Sequence, residues 1–425
     1  MSNTSTLLKQ EWPGAHWIDN EEIHAVTRVL TAQSPFRYYG PDLQREAEQF
    51  EKEFAALCGV PHCLGVSSGT TALQVSLASM GAGPGDEIVV PGYFWVSTVG
   101  AVIRSGAVPV LADVDDSLSL DPADLERKIT GRTKVVIMVH MGGVIGQAEK
   151  VSAICRKRGI KLLEDCAQAA GVSRFGKMAG TFGDMGIFSF QLNKNITAGE
   201  GGAIITSDNN LYERACAVHD LGYTRNSSGR LVLDDENKQF WGIGCRMNEM
   251  TAAVLRIQIQ KMPKILNTMR TLKHEICSII EGYQGIKNIT VADPNGESGA
   301  FLKMIFDVPA VSMDFKKSLI ANGIKTRANA LYPIHMQEWG LHIYYNVKSL
   351  VNKKSICGHH SVWELAENSF AADYRYSRGT LPYLDDLTER IVIFCQPSVY
   401  TALEKNVILD AFRSSCTDLL QKKVL

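Results

Sequence analysis

The feature that most constrains the fold is a repeated alternation of short apolar runs with amphipathic segments through the first two thirds of this 425-residue chain. Most of these runs lack the polar–apolar alternation of a half-exposed strand, which indicates strands covered on both faces. Such βα alternation predicts an α/β fold with a mostly parallel central sheet and helices on both sides. The predicted strands are His62–Ser67, Glu87–Pro91, Val108–Val114, Val135–Met141, Lys161–Cys166, Gly186–Phe190 and Gly202–Ser207.

A long helical region leads from this part of the chain into a part with a different pattern. The region spans about Asn248–Gly282 and is expected to be interrupted near Pro263, because proline disrupts a helix interior. The remainder resembles a smaller α+β unit, which predicts a large domain of residues 1–285 and a small C-terminal domain of residues 286–425. The predicted helices are Thr71–Met80, Pro122–Lys128, Glu149–Lys157, Met313–Asn322 and Leu403–Ser415, and the later strands are Phe301–Val308 and Ile391–Cys395.

The composition excludes several classes of protein. Apolar residues make up 45% and charged residues 21%, which is ordinary for a globular protein with a sizeable core. The net charge of −1 gives no argument for a nucleic acid or an anionic membrane as partner. The polar segment Met1–Gln10 lacks the apolar core of a signal peptide, and no stretch has the length and apolarity of a membrane span. We therefore expect a cytoplasmic protein.

The ten cysteines are scattered and include no Cys-x-x-Cys pair. Several, such as Cys155, Cys277 and Cys395, lie in apolar runs, which fits reduced and buried thiols. We expect neither a metal site nor a disulfide framework.

A strand, a Ser-Gly-Thr turn and a helix follow one another at residues 66–72. Free backbone N–H groups and the positive end of the helix dipole then face one point, and small residues let an anion approach closely. The turn therefore suits a phosphate, with the hydroxyls of Ser68 and Thr70 as additional donors. Serine and threonine are also ordinary helix caps, and taken alone this turn fits a cap at least as well.

An acidic pair, Glu164-Asp165, stands at the carboxyl end of an apolar strand. Buried carboxylates are costly without partners, and this edge of an open α/β sheet is where ligands bind. A carboxylate there could keep the ring nitrogen of pyridoxal 5′-phosphate (PLP) protonated, which makes that cofactor an electron sink. A helix-capping aspartate is an equally good explanation of Asp165 on this evidence alone.

A lysine and an aromatic residue complete the set of candidates. Lys194 follows the strand that ends near Ser189 and precedes a glycine-rich turn; in a desolvated site it would have a lowered pKa and act as a nucleophile and proton carrier. Ser189 could add a phosphate contact. Trp95 follows another strand and could stack on a flat ring, although a core position is commoner for a single tryptophan. The order of these elements, each near a strand end, is more informative than any one of them.

In these residues the chain resembles the DegT/StrS family of sugar aminotransferases, PLP enzymes of fold type I. The resemblance covers the chain from about Gly40 to Phe412. The matching stretches are Gly40-Pro41, Phe50–Ala55, Ser68–Leu73, Trp95–Thr98, Glu164–Gln168, Phe182–Asp184, Ser189-Phe190, Lys194, Gly199–Gly202, Arg246-Met247, Tyr332-Pro333 and His335.

The resemblance implies pyridoxal 5′-phosphate as cofactor, with Lys194 as the Schiff-base lysine that also moves the proton. It implies that Asp165 pairs with the pyridine nitrogen, that Gln168 lies near the ring O3′ and that Trp95 stacks on the ring. Members are usually homodimers with active sites at the subunit interface and use glutamate or glutamine as donor. The implied phosphate contacts are Ser68, Gly69, Thr70 and Ser189, and the implied substrate contacts are Tyr332 and His335.

Two stretches bear on how this chain departs from its relatives. Many members carry an asparagine two residues before the Arg-Met pair that reaches across the dimer to the phosphate; here Gly244 stands there, and Arg246 or Asn248 would have to replace it. The Lys-x-x-Thr-Ala-Gly-Glu-Gly-Gly run is more similar to glutamine-dependent cyclitol (inosose) aminotransferases than to nucleotide-sugar enzymes. Residues 36–40 either shape the acceptor pocket or form a surface loop with a buried aromatic.

The sequence therefore predicts a PLP-dependent aminotransferase that moves an amino group from L-glutamate or L-glutamine to a keto-sugar or keto-cyclitol. Three alternatives stay open: a PLP-dependent sugar dehydratase, a catalytically silent PLP-binding protein, and a dinucleotide-binding oxidoreductase. Lys194 argues against the first, since such relatives carry histidine there; Lys194 together with Asp165 argues against the second; the missing G-x-G-x-x-G turn argues against the third. The candidates for the donor carboxylate are Arg246, Arg327 and Arg378.

Overall fold

The structure is a computed structural model, and it describes residue 8 and residues 12–233, 239–325, 333–358 and 360–422. The helices are α1 (Asn20–Thr31), α2 (Glu46–Cys58), α3 (Gly69–Ser79), α4 (Val96–Ser105), α5 (Pro122–Lys128), α6 (Ala148–Arg158), α7 (Asn209–His219), α8 (Glu249–Ile280), α9 (Pro309–Ala321), α10 (Lys348–Val351), α11 (Pro382–Arg390) and α12 (Ala402–Lys422). The strands are β1 (His62–Val66), β2 (Glu87–Pro91), β3 (Val108–Ala112), β4 (Thr133–Val139), β5 (Lys161–Asp165), β6 (Ser173–Arg174), β7 (Lys177–Met178), β8 (Met185–Ser189), β9 (Gly202–Thr206), β10 (Ile286–Asn288), β11 (Phe301–Phe306), β12 (Ile334–His335) and β13 (Ile391–Cys395).

The large sheet has seven strands in the order β1-β9-β8-β5-β4-β2-β3. The pairs β8–β5, β5–β4, β4–β2 and β2–β3 are parallel, whereas β9 is antiparallel to both of its neighbours. The seven strands are those predicted from the apolar runs, with ends that differ by one or two residues. The predicted α/β fold with a mostly parallel sheet is confirmed.

Both faces of this sheet are buried, as the uninterrupted apolar runs predict. Along β4, Val135 and Ile137 belong to one apolar core, while Val136 and Met138 belong to the core on the opposite face. The first core also contains residues of α3, α4 and α7, and the second contains residues of α2, α6 and α8. Helices therefore cover the sheet on both sides, and its strand ends are the exposed edges at which a ligand can bind.

The small sheet is antiparallel, with the order β10-β11-β13-β12. Its apolar face packs against the carboxyl-terminal half of α8 together with α9 and α12. Residues after 300 also enter the first core of the large sheet, so the C-terminal part of the chain packs directly on the N-terminal part. β10 begins at Ile286, but the predicted domain division at residues 285 and 286 stays a prediction.

Helix α8 is longer and more regular than predicted. It runs without a break from Glu249 to Ile280 with Pro263 inside it, so the predicted interruption is wrong. Pro263 is exposed, whereas its neighbours Met262, Ile265 and Leu266 are buried in the second core. The packing of that buried face offsets the loss of one backbone hydrogen bond.

Two further observations concern the class of protein. Within the described residues, no helix combines the length and apolarity that a membrane crossing requires. All ten cysteines are described and none forms a disulfide; seven are buried, Cys216 and Cys277 are half-buried and Cys357 is exposed.

Candidate active site

A cavity of about 470 Å³ opens at the carboxyl ends of β5 and β8. Two parts of the chain form it. The N-terminal wall consists of Pro13, Ser68, Gly69, Thr70, Leu73, Trp95, Ser97, Thr98, Asp165, Ala167, Gln168, Ile187, Ser189, Gln191, Asn193, Lys194, Asn195 and Glu200; the C-terminal wall consists of Ala300, Phe301, Trp339, His342, Cys395 and Gln396. The eight cofactor contacts expected from the resemblance all belong to the N-terminal wall.

The amino end of α3 forms an anion cradle in this wall. Ser68 caps the helix by accepting the backbone N–H of Thr71 at 3.1 Å, which leaves the N–H groups of the first turn directed at the cavity. A Cβ on Gly69 would lie 2.7 Å from Cβ of Ser189, so glycine is required where helix and strand meet. The hydroxyl of Thr70 donates to Ser97 Oγ at 2.9 Å. The turn is therefore both a helix cap and a site that suits a phosphate.

Asp165 ends β5 and is only 4% exposed. The hydroxyl of Thr98 donates to Oδ2 at 2.8 Å, and the N–H of Ala167 donates to Oδ1 at 3.1 Å. Burial raises the pKa of Asp165 above its ordinary value, and these two donors together with the Lys194 charge offset only part of that rise. A buried carboxylate with one donor on each oxygen is suited to a cationic ring nitrogen.

Lys194 lies on the loop between β8 and β9, and burial lowers its pKa, while the negative charge of Asp165 opposes that shift. Its backbone is held at both ends: its N–H donates to the carbonyl of Gln191 at 3.0 Å, and its carbonyl accepts the N–H of Gly14 at 3.0 Å. Gly14 packs so closely that a Cβ there would lie 2.8 Å from Cα of Ile196. The N-terminal segment therefore fixes the loop that carries the reactive amine.

Trp95 precedes α4 and is 41% exposed, with its ring at the cavity. Its ring centroid lies 4.8 Å from that of His342, which in turn lies 4.5 Å from Trp339. Burial lowers the pKa of His342 to about 3, so its imidazole is neutral at physiological pH. Trp95 thus belongs to an aromatic group that joins the two walls.

Gln168 is held by the loop that follows β4. The N–H of Gly142 donates to its Oε1 at 2.7 Å. On the other side of this loop, Nζ of the fully buried Lys303 donates to the carbonyl of Met141 at 2.7 Å. Burial lowers the pKa of Lys303 to about 7. The loop therefore links a cofactor-side glutamine to a strand of the small sheet.

Glu164, the other member of the acidic pair, faces away from the cavity. Its two oxygens accept the N–H groups of Gly180, Phe182 and Gly183 at 2.6–2.9 Å and contact Nε2 of His140 at 2.8 Å. These donors occupy the carboxylate, so it shapes the segment before β8.

His335 does not lie in the cavity wall, contrary to the substrate contact expected from the resemblance. It is 1% exposed on β12, and its Nε2 lies 2.9 Å from the hydroxyl of Ser312 and 3.1 Å from the carbonyl of Glu389. Both partners belong to the packing of the small sheet, so His335 contributes to that packing. Tyr332 and Arg327 lie outside the described residues.

The candidates near Gly244 also have partners elsewhere. Gly244 adopts a left-handed φ of 66°. Arg246 pairs with Asp220, and Asn248 caps α8 by accepting the N–H of Thr251 at 2.8 Å. Both side chains therefore have partners within their own subunit.

Two other predicted candidates lie outside the cavity wall. Arg378 pairs with Glu389 at the surface. Residues 36–40 pack against α2 and α7 through the Arg37–Glu51 ion pair and the contact of Tyr38 with His219. Phe36 and Tyr38 are half-buried and Tyr39 is exposed, so both interpretations of this stretch stay predictions.

The sequence analysis did not predict the C-terminal wall. Its residues come from three separate segments and follow no motif, because only the fold brings residues 300, 339 and 396 together. A buried glutamine directly after an apolar strand, Gln396 after β13, was the one available signal.

These residues fit PLP: an anion cradle, a buried carboxylate, a desolvated lysine and an exposed tryptophan share one cavity. The fold and the site together define a PLP-dependent enzyme of fold type I.

Comparison with known proteins supports the assignment to PLP-dependent enzymes of fold type I. A model of the DegT/DnrJ/EryC1/StrS aminotransferase family matches residues 16–365. The chain is 33% identical over 297 residues to the L-glutamine:2-deoxy-scyllo-inosose aminotransferase of Streptoalloteichus tenebrarius, across 68% of this chain and 69% of that protein. It is 35% identical over 316 residues to the dTDP-3-amino-3,4,6-trideoxy-alpha-D-glucose transaminase of Streptomyces venezuelae, across 73% of this chain and 78% of that protein.

Among solved structures, 3-amino-5-hydroxybenzoic acid synthase has the same fold, with a TM-score of 0.76 at 24% identity over 97% of this chain and all of that one. The chain belongs to the DegT/DnrJ/EryC1/StrS aminotransferase family and is a PLP-dependent aminotransferase. The predicted family, fold, cofactor and general activity are confirmed.

Proposed function

We propose that this aminotransferase moves an amino group from L-glutamine or L-glutamate to a keto-cyclitol or keto-sugar, with Lys194 as its base. The observation that carries the proposal is the placement of the half-buried Lys194 and the buried Asp165 in the same wall as the anion cradle at the amino end of α3.

PLP supplies the carbonyl that receives the amino group and a ring that delocalises the electron pair of the reacting carbon. Ser68, Gly69, Thr70 and Ser189 would hold its phosphate, Asp165 would hold its ring N–H, and Trp95 would cover the ring. Because burial raises the pKa of Asp165, its charged form requires a cation opposite, and the protonated ring nitrogen meets that requirement.

Lys194 would move one proton in each half of the reaction. Burial lowers the pKa of its Nζ, which favours the neutral amine that can accept a proton. Nζ would take the proton from the donor's α-carbon and deliver it to the cofactor side, and in the second half it would carry a proton in the reverse direction, to the acceptor's former carbonyl carbon. Both transfers need a base at one fixed point, which the backbone bonds of Lys194 to Gln191 and Gly14 provide.

The relatives support both classes of acceptor. The name of the Streptoalloteichus tenebrarius relative includes L-glutamine and a keto-cyclitol, 2-deoxy-scyllo-inosose. The name of the Streptomyces venezuelae relative includes a dTDP-linked amino sugar. The similarity of the 194–202 run to cyclitol enzymes favours L-glutamine and a keto-cyclitol here.

We also propose a cytoplasmic homodimer. Four large apolar side chains between residues 221 and 243 are exposed and support the dimer: Trp241 is 93%, Leu233 79%, Ile243 50% and Leu221 45% exposed. Light scattering on the purified protein should give twice the chain mass, and Trp241→Glu should give the mass of one chain; a wild-type monomer would contradict the proposal.

The absorption spectrum of the purified protein tests the activity. A visible band from the lysine-linked cofactor should bleach when L-glutamine or L-glutamate is added, and a keto-cyclitol or keto-sugar should restore it. A band that no donor bleaches would favour a sugar dehydratase or a silent PLP-binding protein and would contradict the proposal.

A further inference from the structure

Gln396 is the unusual residue of the C-terminal wall. It follows β13, and its backbone is fixed because its N–H donates to the carbonyl of Ala300 at 2.8 Å. The side chain is 1% exposed, yet neither Nε2 nor Oε1 has a hydrogen-bond partner among the described residues. Gln396 nevertheless lines the cavity.

A buried amide without partners is unfavourable, because both its N–H₂ and its carbonyl lose their bonds to water. The neighbouring Ser398 shows the ordinary arrangement: its hydroxyl accepts from Trp17 Nε1 at 3.3 Å and donates to the carbonyl of Pro13 at 2.8 Å. The same loop thus satisfies one polar side chain completely and leaves the one at the cavity for another molecule.

We propose that Gln396 is a specificity-determining residue that binds a hydroxyl group of a neutral, polyhydroxylated ring ketone. A hydroxyl donates and accepts at once, which matches Oε1 and Nε2 of one amide. The inference rests on the proposed function. It adds that the part of the acceptor that contacts the C-terminal wall carries no charge.

The charges around the cavity support a neutral ligand. The ionisable lining residues are Asp165, Lys194, Glu200, His342 and the thiol of Cys395. His342 is neutral because burial lowers its pKa to about 3, and Lys194 and Asp165 would be engaged with the cofactor. Within the described chain, the C-terminal wall therefore offers no cation to a diphosphate.

Separate measurement of the two half-reactions tests the inference. The enzyme is first converted with L-glutamine, and the second half-reaction is then followed with 2-deoxy-scyllo-inosose and with a dTDP-linked keto-hexose as probes. We expect wild type to prefer the inosose, and Gln396→Leu to lower kcat/KM for it about 10-fold to 100-fold, the cost of one lost hydrogen bond in a buried site. The L-glutamine half-reaction should keep its rate.

Folding is checked on the same variant. Leucine removes a buried unpaired amide, so Gln396→Leu should unfold at the same or a higher temperature than wild type. The matched control is Gln337→Leu, an exposed glutamine outside the cavity, which should change neither half-reaction.

Several outcomes would overturn the inference. An unchanged kcat/KM for the inosose in Gln396→Leu, an equal loss in both half-reactions, a clear drop in Tm, or wild-type turnover of the dTDP-linked probe but not of the inosose would each do so. Failure of wild type to react with either amino donor would instead overturn the proposed function.

Discussion

The two walls of the cavity are built in different ways. The N-terminal wall takes its cofactor contacts from strand ends and short loops of one sheet, and Asp165 and Gln168 there have hydrogen-bond partners within the chain. The C-terminal wall comes from three distant segments, is mainly aromatic, and contains an unpaired amide at Gln396. The residues expected to hold the cofactor are therefore placed by local structure, whereas the wall to which we assign the acceptor contact exists only where remote segments meet.

The largest loss of turnover is expected when the proposed base of the N-terminal wall, Lys194, is replaced. Lys194→Ala should lower turnover at least about 10²-fold to 10⁴-fold, because the base of both proton transfers is lost. Steady-state rates with L-glutamine and a keto-cyclitol measure this, and the visible band of the bound cofactor should also change. The exposed Lys354 gives a control: Lys354→Ala should behave as wild type. Near-normal turnover of Lys194→Ala would refute the assignment.

A smaller effect is expected at the carboxylate. Asp165→Asn keeps the shape but removes the charge opposite the ring nitrogen, and turnover should fall about 10²-fold to 10³-fold, as when a preorganised electrostatic partner is removed. Asp165→Glu keeps the charge and should retain more activity than Asp165→Asn. Equal activity of the two variants would show that charge is not what Asp165 contributes.

A smaller loss of turnover is expected when the hydroxyl group that donates to the Asp165 carboxylate is removed. Thr98→Val removes the hydroxyl that donates to Asp165 at 2.8 Å with little change in volume, and we expect roughly a 10-fold loss of turnover. The Thr98 hydroxyl lowers the pKa of Asp165, so the variant should lose activity at a higher pH than wild type as the solution is acidified. The pH–rate profile checks this, with Thr27→Val on the exposed face of α1 as control. An unshifted acidic limb would argue that Thr98 serves packing alone.

Between the walls we expect a change in stability and little change in turnover. There Nζ of Lys303 on β11 donates a hydrogen bond to the loop after β4. The pKa of Lys303 is about 7 in the folded protein, against an ordinary value of 10.5. Between pH 7 and pH 10.5 the unfolded chain therefore binds more protons than the native state. Because of this difference, the native state gains stability as the pH rises from 7 to 10.5. The penalty of burying the charge is full below pH 7. Lys303→Met should therefore raise the free energy of unfolding by roughly 2–4 kcal/mol near neutral pH: about 1.4 kcal/mol per pKa unit of the shift, less roughly 1–3 kcal/mol for the lost hydrogen bond and the unpaired Met141 carbonyl.

Urea unfolding near pH 6.5 and near pH 9.5 measures that change, and the gain should shrink at the higher pH. The exposed Lys287 on the neighbouring strand supplies the control, since Lys287→Met should show no such dependence. A loss of stability at both pH values would mean that the bond from Lys303 to Met141 outweighs the buried charge.

The sequence predicted the N-terminal part of the molecule well for a physical reason. Strands buried on both faces form long apolar runs, and the cradle, Asp165 and Lys194 each follow such a run directly, so local patterns locate them. Pro263 misled the prediction because a single proline is a local signal, whereas the burial of its neighbours is a tertiary one.

The C-terminal wall could not be predicted in the same way. Phe301, Trp339 and Gln396 are separated by tens of residues, and no periodicity links them. His335 looked functional because a motif includes it, but the register of β12 against β13 places it beside Ser312 within the small sheet.

Gly14 shows how far the site extends along the chain. It lies outside every stretch by which the family was recognised, yet its N–H holds the carbonyl of Lys194, and a side chain there would press on Ile196. A map of mutational tolerance would accordingly group Gly14 with the catalytic loop, so genetic variation near the amino terminus can silence the enzyme while every recognised motif stays intact.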